Sequence, residues 1–411
     1  MNLNYNFIKK LIHQENNKLV ATFKNYTLYT ALQPIFSLAH KRVIGYEGLV
    51  RVKDQNNNWI SPAKLFNLDF NQPDIILLDR LCRYIHTHNF KKLEPKNKWL
   101  FLNVHPEIIN NGSNYGSFFK NLLSETKLEP EEIVIEVVEK SISDTERLAK
   151  KINYYKDLGC LIAIDDFGTG MSNFDRVWSL NPDIIKLDQS LLFNAINEEQ
   201  REILLPKVIS LLRQAGSLVL IEGVENKSQV LKALDSGSDF VQGYYFAKPK
   251  TNFSKLNKPQ VQFEKLLQEH KKYVQKKKKA NNEFYNRYHD PIKKVIKKLK
   301  NGQKLAKSLE KLLEDEKVAR AYLLSKEGIQ IGDVVSKHEL GQKDKQYKPL
   351  KDAENADWSR KKYLKQAVQS PNQLQITEPY FSINGGHMCI TLSIMFETEF
   401  GPRILCCDLI D

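Results

Sequence analysis

Two adjacent aspartates at the end of an apolar segment are the first residues whose types and spacing suggest chemistry. Asp165 and Asp166 follow the apolar residues 161–164 and overlap a glycine-rich sequence that ends at Gly170. Two carboxylates this close repel each other unless a cation or a proton lies between them, and hard cations such as Mg²⁺ prefer oxygen ligands. The same residues are compatible with a turn in which an aspartate caps the next helix. This segment alone therefore leaves a metal site and a capped turn as alternatives.

Polar side chains recur in the same way in or directly after other apolar segments. These residues are Glu47, Asn103, Glu136, Lys186, Glu222 and Gln242. Burying ionisable groups is costly unless they are paired or bound to a metal. One such residue could belong to a structural ion pair, but the recurrence in successive segments indicates one shared site. We therefore expect a multi-carboxylate metal site that includes a lysine.

The apolar segments that carry these residues are predicted strands, and helical patterns lie between most of them. Strands are predicted at residues 28–36, 43–52, 99–104, 133–138, 161–165, 184–187, 218–221 and 240–244. Helices are predicted at residues 5–25, 61–68, 75–88, 115–126, 144–158, 172–178, 198–215 and 227–236. Residues 37–42 are too few for a crossover helix, so we expect the first two strands to be antiparallel. The alternation that follows predicts a parallel sheet and an α/β fold.

This arrangement of strands predicts a TIM-like (β/α)8 barrel whose first strand is antiparallel. Barrels of this type use eight strands in about 250 residues, and the C-terminal ends of their strands meet at one face, where active sites are built. Side chains that are far apart in the sequence are therefore expected to converge at a single mouth.

The length of 411 residues predicts more than one domain. We expect a barrel at residues 1–255, a basic helical linker at 256–317 and a small α+β domain at 318–411. Residues 255–317 hold 19 Lys and Arg but only 8 Asp and Glu, in a chain whose net charge is +13. Such a helix can contact nucleic acid or an anionic membrane. A solvated helix face is the favoured interpretation, and nucleic acid is not an expected partner. Pro291 and Gly302 are expected to break the linker into shorter helices.

The last part of the chain is predicted to be a PAS-like or Cache-like module. Strands are predicted at residues 318–324, 330–335, 379–383, 388–397 and 403–410, with a helix at 347–369 and a turn at 384–386. Binding of a small-molecule ligand and formation of a homodimer are both compatible with such a module. The five cysteines have no metal-type spacing, which fits a reduced, cytoplasmic location. No apolar run of about 18 residues predicts a transmembrane helix.

Residues 18–250 resemble the EAL family of cyclic di-GMP phosphodiesterases. The resemblance is carried by eight motifs in chain order, which are Gln33-Pro34-Ile35, residues 46–51 (Tyr-Glu-Gly-Leu-Val-Arg), Asn103-Val104, residues 136–139 (Glu-Val-Val-Glu), residues 165–170, residues 182–188, residues 222–225 (Glu-Gly-Val-Glu) and residues 242–249. The chain departs from the family signature at Gly48, where the signature has alanine. We expect this change to leave Glu47 in place but to give the backbone more freedom.

The resemblance implies a role for each matching residue. One Mg²⁺ or Mn²⁺ would be held by Glu47, Asn103, Glu136 and Asp165, and a second would be served by Asp165, Asp166 and Glu222. Lys186 would orient the attacking water, with Glu222 as an alternative general base, and Glu47 completes the catalytic set. Substrate contacts would come from Gln33, Leu49, Arg51, Asp188 and Gln242. Glu139 and Glu225 would support the metal ligands, although Glu225 is equally compatible with a helix cap.

The reaction implied by the resemblance is hydrolysis of one phosphodiester bond of cyclic di-GMP to give linear pGpG. A receptor that binds cyclic di-GMP without hydrolysing it is the alternative. Synthesis of the nucleotide is not expected, because Gly385-Gly386 is followed by His387-Met388 and no synthase motif occurs.

Overall fold

The computed structural model of the protein describes residues 4–94, 96–105, 108, 116–138, 145–169, 174–197, 199–256, 263–336, 353–382 and 387–410. The chain divides into two compact units, Met1–Val274 and Gln275–Asp411. An 11-stranded sheet belongs to the first unit, and a 6-stranded sheet belongs to the second.

Strands of the first unit close into a barrel. The strands are β1 (Ile12–Glu15), β2 (Lys18–Phe23), β3 (Tyr26–Ser37), β4 (Arg42–Lys53), β5 (Trp59–Ile60), β6 (Trp99–Val104), β7 (Ile133–Val138), β8 (Leu161–Phe167), β9 (Ile184–Leu187), β10 (Leu218–Ile221) and β11 (Phe240–Val241). The barrel order is β3-β11-β10-β9-β8-β7-β6-β4, and β3 pairs with β4 to close it. β3 is antiparallel to both neighbours, and the other barrel strands are parallel. The predicted TIM-like barrel with an antiparallel first strand is therefore confirmed.

Helices cover the outside of this barrel. They are α1 (Tyr5–Lys10), α2 (Pro62–Phe66), α3 (Gln72–Lys91), α4 (Gly116–Thr126), α5 (Thr145–Asp157), α6 (Phe174–Leu180), α7 (Gln189–Asn197), α8 (Glu199–Gln214) and α9 (Lys227–Ser236). Among them, α7 was not expected from the sequence. Apolar side chains of these helices pack on the outward faces of the strands in two large clusters.

The predicted helix at residues 5–25 is wrong beyond α1. Residues Asn16 and Asn17 have φ angles of 48° and 59°, and they join β1 to β2 as a hairpin. Two consecutive left-handed residues suit the tight turns of hairpins, where asparagine is favoured. The apolar residues Val20 and Phe23 therefore reach the core from a strand and not from a helix.

The second unit is built around an antiparallel sheet. Its described strands are β12 (Val318–Ser325), β13 (Gln330–Ser336), β14 (Gln375–Ile376), β15 (Tyr380–Phe381), β16 (Met388–Thr398) and β17 (Gly401–Ile410). The α-helices described after the barrel are α10 (Phe263–Lys300), which begins in the first unit, α11 (Leu305–Leu309) and α12 (Lys362–Gln369). The strand order is β13-β12-β17-β16-β14, with β15 also paired to β16. This sheet with its helices agrees with the predicted α+β class, while the PAS or Cache likeness stays a prediction.

Helix α10 continues through Pro291, so the predicted break at that residue is wrong. Proline within a helix costs about 3 kcal/mol. Tyr288, Ile292 and Val295 are buried in one cluster with residues of the sheet, and burying each such side chain contributes about 1.5–3 kcal/mol. The packing therefore outweighs the cost. The predicted break near Gly302 is confirmed, because α10 ends at Lys300 and Gly302 has a φ of 75°.

The predicted helix at 347–369 is shorter in the structure, where α12 begins at Lys362. Ahead of it, Ala356 and Trp358 exchange backbone hydrogen bonds with Gln330 and Gly328 at the β12–β13 turn. Together with the isolated bridge between Ile329 and Asp357, these hydrogen bonds hold residues 356–358 outside a helix. The predicted turn at 384–386 lies outside the described residues. No described helix has the length and apolar character that crossing a bilayer requires.

Gly243 permits a close approach of two loops at the barrel mouth. The Val224 amide donates to the carbonyl of Gln242 at 3.0 Å, and the Tyr245 amide donates to the carbonyl of Val224 at 2.9 Å. A Cβ atom on residue 243 would overlap the Val224 backbone.

We expect Gly243→Ala to lower the free energy of unfolding by about 3 kcal/mol, measured by urea denaturation with circular dichroism.

Gly216→Ala is the matched control for this prediction. No atom lies within 4 Å of a methyl group at residue 216, although its φ is +98°, so this variant should lose only about 1 kcal/mol from backbone strain. Equal losses in the two variants would contradict the role given to the loop contact.

Candidate active site

The polar residues singled out in the sequence form one layer of side chains at the mouth of the barrel. An apolar layer lies beneath it, and seven strands contribute one residue each, namely Ile35, Phe101, Val134, Ala163, Ile184, Leu220 and Phe240. Along a strand, residues two positions apart point to the same face. Two positions closer to the mouth are Gln33, Asn103, Glu136, Asp165, Lys186, Glu222 and Gln242, and Glu47 on β4 completes the layer. The strand period thus brings together residues that are up to about 200 positions apart.

Lys186 lies at the centre of this layer and is 1% exposed. Its Nζ is 2.7 Å from Glu136 Oε1 and 2.7 Å from Glu222 Oε1. Asp165 Oδ1 follows at 3.1 Å and Glu47 Oε1 at 3.9 Å. One ammonium group therefore faces four carboxylates.

Two amide side chains tie Glu47 to the rest of the layer. Asn103 Nδ2 donates to Glu47 Oε1 at 3.0 Å and to Glu136 Oε2 at 2.8 Å. Gln242 Nε2 donates to Glu47 Oε2 at 2.7 Å. Both oxygens of Glu47 are thus fixed from opposite sides. The buried carbonyl oxygen of Gln242 has no hydrogen-bond partner among the described residues.

The charges of this layer are strongly coupled. Burial raises the pKa of Glu136 well above its usual range, and the ammonium of Lys186 only partly opposes this rise. Burial also raises the pKa of Glu222 to about 8, with a further contribution from Asp165. Burial alone would lower the pKa of Lys186, but the surrounding carboxylates raise it well above its ordinary value. Four ionised carboxylates would exceed the charge of one lysine, so the layer retains protons near neutral pH unless a cation binds.

Asp165 and Asp166 reach the same region although neighbours in a strand normally point to opposite faces. The pairing of β8 with β9 shifts register between Ile164 and Phe167, and Asp166 has a left-handed φ of 57°. Oxygen atoms of Asp165, Asp166 and Glu222 consequently lie within 4.8 Å of one another. A bulge of this kind redirects a side chain at a functional site.

This donor set fits a hard divalent cation. The three carboxylates Asp165, Asp166 and Glu222 supply oxygen ligands, which Mg²⁺ and Ca²⁺ prefer. The excess negative charge beside Lys186 would be compensated by such an ion. Asn103, Glu47 and Glu136 lie in the same layer, so the structure brings all six predicted ligands together.

A polar cavity of about 300 Å³ opens beside this layer. Its walls include the predicted substrate residues Gln33, Asp188 and Gln242 together with Glu47, Glu222 and Glu225. Gln33 Nε2 donates to the Ala247 carbonyl at 3.2 Å. Asp188 accepts from the Ser190 amide at 2.9 Å near the start of α7. The backbone amide of Glu225 donates to Gln229 Oε1 at 2.6 Å, while Glu139 lies outside the described residues.

A second cavity, of about 400 Å³, lies on the other side of β4, and we name it the lateral cavity. The predicted substrate residues Leu49 and Arg51 line it, and Asn103 connects it to the polar layer. Arg51 Nη1 donates to the Val50 carbonyl at 2.8 Å, and burial lowers its pKa from the ordinary value. Glu47 thus lines the polar cavity, and the next residue of β4, Gly48, lines the lateral cavity.

Helix α3 supplies lateral-cavity residues that the sequence did not reveal, namely Asp79, Cys82, Arg83 and His86. Asp79 and Arg83 form a buried ion pair. Asp79 Oδ1 accepts from the His105 amide at 3.1 Å, which anchors the chain two residues after Asn103. A polar residue every three or four positions on a buried helix face was the available signal.

The expectation that Gly48 gives its backbone more freedom stays a prediction, and the structure shows what surrounds this residue. Gly48 is paired with Leu32 on one side and with Leu102 on the other, so both neighbouring strands hold it. A Cβ atom at this position would lie 3.1 Å from Cβ, Cγ and Cδ2 of His86. His86 therefore occupies the space next to the missing methyl group.

The EAL domain family matches residues 16–249, and the chain belongs to this family. YkuI of Bacillus subtilis, an uncharacterized EAL-domain containing protein, is 27% identical over 381 residues, which cover 89% of this chain and 91% of YkuI. The crystal structure of YkuI with cyclic di-GMP and calcium shares the fold, with a TM-score of 0.77 and 23% identity over 93% of this chain and 96% of that one. The predicted family is therefore confirmed.

A named phosphodiesterase is also similar to the barrel unit. PdeF of Escherichia coli, a cyclic di-GMP phosphodiesterase, is 26% identical over 248 residues. That match covers 59% of this chain and 32% of PdeF. The similarity to YkuI extends through both units of this chain, whereas the similarity to PdeF covers a part of each protein.

The charge balance around Lys186 can be tested without any metal ion. In EDTA at pH 7, Lys186→Met should lower the free energy of unfolding by about 3–5 kcal/mol, because buried carboxylates lose their counter-charge. The deficit should grow toward pH 9, because Glu222, whose pKa of about 8 keeps it largely protonated at pH 7, then becomes a buried carboxylate without a counter-charge. Urea denaturation at both pH values measures it.

The exposed residue Lys276 gives a control of the same chemistry. Lys276→Met should change stability by less than about 0.5 kcal/mol at either pH. A Lys186 variant that behaves like this control would contradict the central role of the ammonium group.

Proposed function

We propose that this protein is a metal-dependent phosphodiesterase that hydrolyses cyclic di-GMP to linear pGpG. The observation that carries the proposal is the layer of carboxylates and amides around Lys186 at the C-terminal mouth of an EAL-family barrel. Active sites of such barrels lie at this mouth. The similarity to PdeF supports the same reaction.

The metal ligands in this proposal are Glu47, Asn103, Glu136, Asp165, Asp166 and Glu222. Two Mg²⁺ or Mn²⁺ ions, when bound, would lower the pKa of a water molecule and neutralise charge on the phosphodiester. Asn103 and Gln242 hold Glu47 by its two oxygens, so this carboxylate keeps a fixed orientation. The bulge at Asp166 aims a second carboxylate at the same region.

Lys186 acts on the attacking water in this mechanism. Its ammonium group is fixed by ion pairs of 2.7 Å to Glu136 and to Glu222, and it donates a hydrogen bond that orients the water. Glu222 is the alternative general base, because its carboxyl group lies in the same layer, 2.7 Å from Lys186 Nζ. Glu139 and Glu225 are proposed to support the ligand loops.

The substrate is proposed to span both cavities with its scissile phosphate beside Glu47. Arg51 suits a bidentate contact with a phosphate, which lysine could not reproduce. Leu49 and the apolar wall of the lateral cavity suit a nucleobase, and Gln33, Asp188 and Gln242 line the polar cavity on the other side. Both volumes fall in the range of small-molecule sites, about 300–1,000 Å³.

A receptor that binds cyclic di-GMP without turnover is the second candidate. The departure from the family signature at Gly48, directly after Glu47, is the observation that favours it. Four further proposals concern the whole chain. The domain bounds are 1–255, 256–317 and 318–411. The location is cytoplasmic, which suits five free cysteines. The protein forms a homodimer, and its second unit binds a small-molecule ligand.

Replacing Glu47 separates the enzyme from the receptor. We expect Glu47→Ala to reduce pGpG formation to below about one hundredth of the wild-type rate, because it removes a proposed ligand and nucleophile-positioning group. Chromatography of the products in Mg²⁺ and in Mn²⁺ measures this. The control is Glu131→Ala, at an exposed position ahead of β7, which should retain full rate. Tight binding by the wild type without any pGpG would instead support the receptor.

The number of bound ions tests the proposed ligands independently of turnover. Titration of the wild type with Mn²⁺, followed by electron paramagnetic resonance, should give two bound ions per chain. Asp166→Asn removes a charge from the second site alone, so we expect one tight ion and one that is weakened about tenfold or more. Two unaltered ions in this variant would exclude Asp166 as a ligand.

A further inference from the structure

His86 lies against the strand that carries Glu47, and the absence of a side chain at Gly48 makes this contact possible. A methyl group at residue 48 would lie 3.1 Å from three carbon atoms of His86. That distance is shorter than the roughly 3.5–4.0 Å at which carbon atoms pack best. The ring of His86 and the glycine are therefore complementary in shape, and alanine would require the ring to shift by a few tenths of an ångström.

The hydrogen bonds around His86 assign its tautomer. Asn89 Nδ2 donates to Thr30 Oγ1 at 3.0 Å, and Thr30 Oγ1 lies 2.9 Å from His86 Nδ1. Thr30 is buried, and a buried hydroxyl hydrogen needs an acceptor. Nδ1 of His86 is the acceptor that the described residues offer, so the proton of the neutral ring is on Nε2.

His86 is one of the residues that line the lateral cavity, and its Nδ1 is turned away to Thr30. The ring turns Nδ1 toward Thr30 and Cδ2 toward Gly48, and both Gly48 and His86 line that cavity. Burial lowers the pKa of His86 to about 3, and nearby Arg51 adds to this effect. A neutral imidazole with one N–H donor thus lines a cavity whose other walls are mainly apolar, as at Leu49 and Phe66.

We propose that His86 is a specificity-determining residue that reads the nucleobase in the lateral cavity. This inference rests on the proposed function, which places a base of cyclic di-GMP there. Guanine presents acceptors at O6 and N7, whereas adenine presents an amino donor in place of O6. The Nε2–H group of His86 can donate to guanine O6 and opposes the amino group of adenine. Gly48 is required because it lets the ring approach β4.

The experiment compares binding of cyclic di-GMP and cyclic di-AMP by isothermal titration calorimetry. Both titrations use Ca²⁺, the ion present with cyclic di-GMP in the YkuI structure. His86→Phe keeps a ring but removes the donor. We expect its affinity for cyclic di-GMP to fall about tenfold, while its affinity for cyclic di-AMP stays the same or rises. The preference for guanine should therefore fall at least about tenfold.

Gly48→Ala provides a second variant in which His86 keeps its chemistry but is shifted by a few tenths of an ångström. Its preference for guanine should also fall, so the inference does not depend on one variant that must fold without the Thr30 hydrogen bond. His88→Phe is the matched control on the same helix. His88 stacks on Tyr84 with ring centroids 4.1 Å apart and does not line the lateral cavity, so this variant should retain the wild-type preference.

The results distinguish this inference from the proposed function. In one outcome, the wild type prefers cyclic di-GMP while both His86→Phe and Gly48→Ala retain that preference. This result would overturn the role of His86 and leave the proposed function intact. A wild type that binds no cyclic di-GMP would overturn both. Loss of the preference in both variants, with unchanged cyclic di-AMP binding as evidence of an intact fold, would support the inference.

Discussion

The buried ammonium group of Lys186 is the interaction on which the mouth of the barrel depends. Four carboxylates face it, and its two shortest ion pairs are 2.7 Å long. Without a positive charge, carboxylates in a layer of low dielectric constant would repel one another or bind protons. A single lysine balances only part of their charge, so the remaining excess favours divalent cations. One electrostatic constraint thus explains both why the acidic groups can be buried and why they would suit divalent cations.

The antiparallel strand β3 makes that constraint possible in a closed barrel. It pairs with β4 on one side and with β11 on the other, and its register places Gln33 opposite Glu47. Because β3 runs in the opposite direction, Gln33 precedes the apolar-layer residue Ile35 by two positions, whereas the polar residues of the parallel strands follow theirs. Strands that run in opposite directions therefore contribute side chains to the same layer. Gln242 on the neighbouring strand end can then donate to Glu47.

Much of this arrangement could be predicted from the sequence, because it depends on local patterns. Strands β6, β7, β9 and β10 have the predicted bounds, since each is a short apolar run between clear breaks. The period of two then assigns one polar residue per strand to the mouth. The bulge at Asp166 was not predictable, because a register shift arises between strands and leaves no local pattern. The same holds for Pro291, where packing outweighs the local preference of proline.

The contribution of α3 shows why a motif defines only half of a site. Asp79, Arg83 and His86 face the lateral cavity from a helix that carries no family motif. The pair of Asp79 and Arg83 cannot relax toward water, because both side chains are buried, and Asp79 uses its other oxygen to hold the backbone at His105. His86 in turn fills the space beside Gly48. The helix therefore contacts the chain next to both Glu47 and Asn103. A substitution in the signature must be considered together with the residue that packs against it.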